Sequence, residues 1–199
     1  MRSKHRGNTK NAETGQLRII GGQWRGRKLP FPALEGLRPT SDRTRETLFN
    51  WLTPRVQGAT CLDMFAGSGA LGLEALSRGA AYCDFIERQE QAARAITSHL
   101  NTLNASDQGR IITGDALALG GADIGPYDLI FIDPPFAENL AQAALELVLS
   151  GKLLSLDARV YLELPRTQKL PPALQEFEIL RDKNAGDVRY LLLTTTANP

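Results

Sequence analysis

The chain has 199 residues, enough to bury one full hydrophobic core with a short appendage and too few for several ordinary domains. Its formal net charge of +1 conceals two unlike ends: residues 1–45 carry 11 Lys/Arg against 3 Asp/Glu, a balance of +8, and residues 46–199 carry 12 against 19, a balance of −7. A basic end on an acidic body points to a polyanionic partner at one end only, and the lack of a ~18-residue apolar span or a secretory apolar segment argues for a soluble, cytoplasmic protein.

In chain order, residues 1–16 are polar and poor in apolar anchors, which predicts a disordered basic tail. Leu17–Ile20 and Lys28–Phe31 flank Gly21-Gly22-Gln23-Trp24-Arg25-Gly26, the pattern of a β-hairpin. Ser41 or Asp42 can cap a helix that carries Leu48, Phe49 and Leu52 and that Pro54 would stop. Residues 17–54 are thus expected to form a small basic hairpin-and-helix extension, and residues 55–199 the main domain. There, strands and helices alternate: strand 59–64, helix 70–78, strand 81–86, helix 88–103, strands 109–113 and 127–132, helix 138–150 and strand 158–164. Two extended segments at 176–182 and 187–194 follow, joined by the turn Asn184-Ala185-Gly186-Asp187. This alternation predicts an α/β fold with a mostly parallel sheet, covered on both faces and ended by an antiparallel hairpin. Cys61 and Cys83 fall inside buried strands and read as small core residues, not as a disulfide or metal pair.

Three segments carry chemistry. The apolar run Tyr127–Ile132 ends in Asp133-Pro134-Pro135-Phe136. In isolation Asp-Pro-Pro is a common strand-to-helix turn. At the carboxyl end of a parallel strand, however, two prolines fix the exit of the chain and have no N–H, so the Asp133 carboxylate and the prolyl carbonyls are acceptors for a planar amine. Around Cys61–Gly72, the glycines Gly67, Gly69 and Gly72 satisfy G-x-G-x-x-G, and Glu87 lies 20 residues beyond Gly67, where a ribose-binding carboxylate belongs. A nicotinamide dinucleotide fits those facts, but Asp63 just before the loop suits a cation better than a pyrophosphate. S-adenosylmethionine has a ribose diol, no phosphate, and sulfonium and ammonium groups that favour carboxylates. Asp115, after the strand Gly109–Thr113, is a loop acid or helix cap when taken singly. As the third acid of a series ending successive strands, it is an acceptor for the adenine amino group, with Ala116 leaving room for the ring. In such a sheet the strands ending at Asp63 and Asp133 are expected to be neighbours at the switch point.

Four segments in order, Arg18-Ile-Ile-Gly-Gly-Gln-Trp-Arg-Gly-Arg-Lys-Leu, Leu37-Arg-Pro-Thr-Ser-Asp-Arg-Thr-Arg-Glu-Thr-Leu-Phe-Asn, Asp63-Met-Phe-Ala-Gly-Ser-Gly-Ala-Leu-Gly and Asp133-Pro-Pro-Phe, together resemble the RsmD family of bacterial methyltransferases over residues 17 to about 195. The resemblance implies a Rossmann-like class I fold with a seven-stranded sheet, S-adenosylmethionine as cofactor, no metal, and methylation of the exocyclic N2 of one guanine in small-subunit (16S) ribosomal RNA. It assigns Asp133, Pro134, Pro135 and Phe136 to the reaction, with Asp133 and the Pro134 carbonyl holding the amine and Phe136 stacked on a flipped base. Cofactor binding falls to Asp63, Phe65, Ala66, Gly67, Ser68 and Gly69, with Glu87, Arg88, Asp115 and Ala116. The segment from Arg38 to Arg45 is placed over the cofactor entrance.

Arg18, Arg25, Arg27, Lys28, Arg38, Arg43 and Arg45 are candidates to follow RNA phosphates, and Trp24 either stacks on a base or anchors the hairpin. The expected partner is small-subunit ribosomal RNA or the subunit itself, met by a monomer. Two other classes stay open at this point: an adenine or cytosine amino-methyltransferase acting on DNA, which shares the Asp-Pro-Pro-Phe chemistry, and a non-catalytic ribosome-assembly factor that uses the basic end alone.

Overall fold

The computed structural model describes residues 14–34, 40–118, 124–136 and 139–196. The expected tail through residue 13 and Arg38 lie outside the described residues. A hairpin of β1 (Thr14–Arg18) and β2 (Lys28–Pro32) leads to α1 (Asp42–Val56). β3 (Thr60–Asp63), α2 (Ala70–Ser77), β4 (Tyr82–Glu87), α3 (Glu90–Thr102), β5 (Gly109–Thr113), β6 (Tyr127–Ile132), α4 (Ala141–Ser150), β7 (Leu154–Pro165), β8 (Phe177–Ala185) and β9 (Val188–Thr195) follow. The main sheet has seven strands in the order β5-β4-β3-β6-β7-β9-β8. β3 to β7 are mutually parallel, and β9 runs antiparallel to both its neighbours. The chain builds outward from β3 on one side and returns to β6 on the other, which makes the β3/β6 boundary the switch point.

Alternation along the strands sorts the core into two layers. Cys61, Phe85, Leu129, Phe131 and Tyr161 face one side, while Leu62, Ile86, Ile130, Ile132 and Leu162 face the other. α4 covers the second face through Ala144, Leu145 and Val148. The first face is covered by α2 and α3 together with Leu17, Ile19, Leu29 and Phe31 of the hairpin and Leu48, Phe49 and Leu52 of α1. All eight residues of α2 are buried, because the hairpin and α1 close over the helix from outside. The hairpin and α1 are thus not a loose arm: they share one core with the sheet.

Glu74 of α2 fastens this layer. It is fully buried and accepts the Ile20 and Gly21 amides at 2.9 and 2.7 Å and Arg78 Nε at 2.8 Å, while Arg45 lies 3.5 Å away. Ser77, one turn on, donates to the Gly21 carbonyl at 2.6 Å and accepts the Trp24 amide at 3.0 Å. Three corrections to the sequence reading follow. Residues 14–16, assigned above to the tail, pair with Pro30–Pro32, so the hairpin starts at Thr14. Pro54 does not stop α1, which runs to Val56, because burying Val56 against the core outweighs the one backbone bond that proline forgoes. β7 begins at Leu154, before the expected 158: its register against β6 shifts between Tyr127 and Leu129, and Asp157 adopts φ 60°, so the two-residue periodicity is broken there. Ser41 caps α1 by accepting the Thr44 amide at 3.1 Å, and both cysteines are buried and free. Among the described residues no helix is long and apolar enough to cross a membrane.

Candidate active site

At the switch point the carboxyl ends of β3, β4, β5, β6 and β7 open into a cavity of about 740 Å³. It is lined by six acids, Asp63, Glu87, Asp115, Asp133, Glu163 and Asp187, and by one base, Arg88. Such a wall favours a cationic or amine-rich ligand over a phosphate.

The loop between β3 and α2 is held by its own acids. Asp63, 2% exposed, accepts the Gly72 amide at 2.9 Å, which ties the end of β3 to the first turn of α2. Glu87 accepts the Gly67 amide at 2.7 Å with one oxygen and the Gln89 amide at 2.7 Å with the other. The glycine loop thus turns two of its N–H groups toward carboxylates, the reverse of a loop that wraps a pyrophosphate. Burial lifts the Asp63 carboxyl to about 7, reinforced by the nearby Asp133 and Glu87 charges, although the Gly72 amide opposes the shift.

Phe65, Ala66, Gly67 and Ser68 line the cavity beside Glu87, Arg88, Asp115 and Ala116, as the sequence suggested. Gly69 does not. It turns the chain into α2 with φ 78°, and a Cβ there would meet Leu73 and Ile96 at 3.1 and 3.2 Å, so its role is to let the loop fold back onto the core. Gly72 likewise faces away: a Cβ would lie 2.3 Å from the Phe85 ring, which makes it the close-packing contact between α2 and β4. Asp115 is exposed and accepts the Leu117 amide at 2.9 Å, shaping the turn that presents Ala116 to the cavity.

On the opposite wall Asp133, half-buried, accepts the Thr40 hydroxyl at 3.0 Å. Pro134 is buried, whereas Pro135 and Phe136 are exposed, the ring standing at the mouth of the cavity with 39% of its surface free. β3 and β6 are direct neighbours, with Asp63 beside Phe131, so the two motifs face one space. Burial also holds the Asp133 carboxyl above its ordinary value.

Thr40, Ser41 and Thr44 bring the start of α1 to the rim, within the segment Arg38–Arg45 that the resemblance placed over the cofactor entrance. Other lining residues escaped the sequence reading: Ala185, Asp187 and Val188 bring the β8–β9 turn. Glu163 near the end of β7 is the most notable: it is 4% exposed and accepts the Tyr161 hydroxyl at 2.6 Å. The signal was available, a lone acid in the apolar run Val160–Leu164, at the same place on its strand as Asp133 on β6.

The basic residues divide. Arg25, Arg27, Lys28 and Arg43 are exposed. Arg18 is exposed but paired with Asp42 at 2.6 Å. Arg45 is 1% exposed and donates to the Arg18 carbonyl and to Asp42, so it is a structural tie and not a phosphate contact. Trp24 is half-buried against the core, which favours anchoring over base stacking.

A comparison of sequences finds the chain 45% identical over 179 residues to "Ribosomal RNA small subunit methyltransferase D" of Escherichia coli strain K12, spanning 90% of each. It is 44% identical over 189 residues to the protein of the same name in Haemophilus influenzae, spanning 92% of this chain and 96% of that one. Among solved structures, "Putative methyltransferase yhhF from Escherichia coli" superposes with a TM-score of 0.84 at 42% identity, covering 92% of this chain and all of that one. The family model described as "Conserved hypothetical protein 95" matches residues 17–194, and with these relatives it shows that the chain belongs to the RsmD family, with the Rossmann-like methyltransferase fold that its four segments implied.

Proposed function

We propose that this protein methylates the exocyclic N2 amine of a guanine in small-subunit ribosomal RNA, using S-adenosylmethionine, in the cytoplasm. Methyl transfer to ribosomal RNA is supported by the family and its named relatives. The single observation that carries the finer reading is that the acid-bound glycine loop and Asp133-Pro134-Pro135-Phe136 line the same cavity from opposite walls.

The cofactor fits what this cavity offers. Each Glu87 oxygen spends one lone pair on a backbone amide and keeps another for a ribose hydroxyl. Asp63 and the other acids suit the sulfonium and ammonium charges, and no phosphate is left facing carboxylates. When bound, S-adenosylmethionine supplies an electrophilic methyl group. The rest is done by the chain's own residues. Asp133 and the Pro134 carbonyl accept the two N–H bonds of the amine, orienting its lone pair toward the loop. Positive charge develops on that nitrogen as it takes the methyl group, the fixed acceptors stabilise it more than they stabilise the neutral amine, and the surplus proton then leaves to Asp133 or to water. Thr40 occupies Asp133 in the absence of an amine and must yield it. Phe136, exposed at the mouth, offers a face on which a base flipped from its stack can rest. Arg25, Arg27, Lys28 and Arg43 meet phosphates of the same RNA.

The test is transfer of labelled methyl from S-adenosylmethionine to small ribosomal subunits, to their stripped RNA and to duplex DNA, with nucleoside analysis. N2-methylguanosine from RNA is the expected product. Methyladenine or methylcytosine in DNA overturns the substrate, and no label in any of the three overturns the catalytic reading.

A further inference from the structure

Asp133 has a companion. β6 and β7 run parallel with Ile132 beside Leu162, so the next residues, Asp133 just past β6 and Glu163 near the end of β7, follow on neighbouring strands, and both line the cavity. Among the described residues the donors that serve them are hydroxyls: Tyr161 donates to Glu163 at 2.6 Å, and Thr40 donates to Asp133 at 3.0 Å. Tyr190 stands across from Glu163 on β9, its ring tilted against Tyr161. Among the described residues no Lys or Arg forms an ion pair with either carboxyl. A buried acid beside a half-buried one, with neutral donors among the described residues, is a site with surplus acceptors, an arrangement that is costly unless a ligand supplies donors. Burial and the neighbouring Asp133 charge raise the Glu163 carboxyl well above its ordinary value, which agrees with that geometry.

The bases that carry an exocyclic amine differ beside it. In adenine and cytosine a ring nitrogen with a lone pair flanks the amine. In guanine the N1–H stands next to the N2 amine, so the edge presents adjacent donors. We propose that Glu163 reads the target base: it accepts the N1–H of the guanine whose N2 amine Asp133 holds, and so selects guanine over the other amino-bearing bases. Tyr161 then fixes the direction of the Glu163 carboxyl, as Thr40 does that of Asp133. The inference rests on the guanine-N2 reading above and gives the specificity of that same cavity.

The experiment uses reconstituted small subunits in which the methylated guanine is replaced by 2-aminopurine, a base with the same 2-amine but a lone pair at N1. The full-length enzyme should prefer guanine by about 5- to 150-fold, the discrimination typical of one good edge contact. Glu163→Gln, whose amide can accept from N1–H or donate to an N1 lone pair, should narrow that ratio to within about threefold. Comparing the two ratios cancels the intrinsic reactivities of the two amines. A wild-type enzyme indifferent to the replacement, or a Glu163→Gln enzyme with the wild-type ratio, overturns the inference. If Glu163→Gln does not fold, Tyr161→Phe serves: it keeps the carboxyl and removes the hydroxyl that aims it, so a narrowed ratio supports the inference and an unchanged one opposes it. Wild-type product on an atom other than guanine N2 is a different failure, that of the proposed function itself, and nucleoside analysis separates the two.

Discussion

The acids of this protein fall into two groups by what they hold. Glu74, Asp63 and Glu87 accept backbone amides, of Ile20 and Gly21, of Gly72, and of Gly67 and Gln89. Asp133 and Glu163 accept side-chain hydroxyls, of Thr40 and Tyr161. A backbone amide cannot leave without moving the chain, so the first group fixes geometry: the docked hairpin, the turn into α2 and the glycine loop. A hydroxyl can rotate away, so the second group is free to exchange its partner for a substrate. Residue type is the same in both groups, and Asp63 and Glu87 end strands much as Asp133 follows one, so the partner decides the role.

Substitution should separate the groups. The largest effect is expected from Glu74→Ala, which strands Arg45 in the core and frees the Ile20 and Gly21 amides: a loss of about 3–5 kcal/mol in denaturant unfolding. Asp133→Ala should do the opposite, lowering kcat by about 10²- to 10³-fold in methyl transfer while melting at or above the wild-type temperature, since a half-buried acid is removed with one hydroxyl bond. A large fall in its melting temperature would break the distinction.

Glu87→Gln keeps the shape but loses one charge and one acceptor for the Gly67 or Gln89 amide. We expect S-adenosylhomocysteine affinity, measured by calorimetry, to fall by about 1–3 kcal/mol, with little change in kcat at saturation. The subtlest effect is on pH. The Asp63 carboxyl is raised in the folded protein to about 7, so folding favours its protonated form. That contribution is fully present below the ordinary aspartate value near 4 and is lost as pH rises through about 7. The melting temperature of the ligand-free protein should therefore decline between pH 5 and pH 8, and Asp63→Asn, which still accepts the Gly72 amide, should flatten part of the decline. An equal slope in the variant would show that Asp63 does not carry it.

Much of this was legible in the chain. β6 begins and ends where the pattern placed it, because a buried parallel strand reads as a short apolar run bounded by turn residues, and the half-exposed edge strand β5 also keeps its expected bounds. Asp133-Pro-Pro-Phe and the glycine loop announced themselves, since prolines and glycines constrain the backbone locally. The irregular start of β7 was hidden by its break in periodicity, and the continuation of α1 past Pro54 by a tertiary contact at Val56.

The sequence by itself determined the sheet, the strand-end acids and the two-ended charge, because periodicity, turn chemistry and composition are local properties. Only the tertiary structure decided which charges do what. Arg45 and Arg43 are near neighbours in one basic helix start, yet one is sealed against Glu74 and the other is exposed. Glu163 looked like any acid in a strand until the parallel pairing of β7 with β6 set it beside Asp133. Burial and partnership depend on residues far away in the chain, and no local pattern records them.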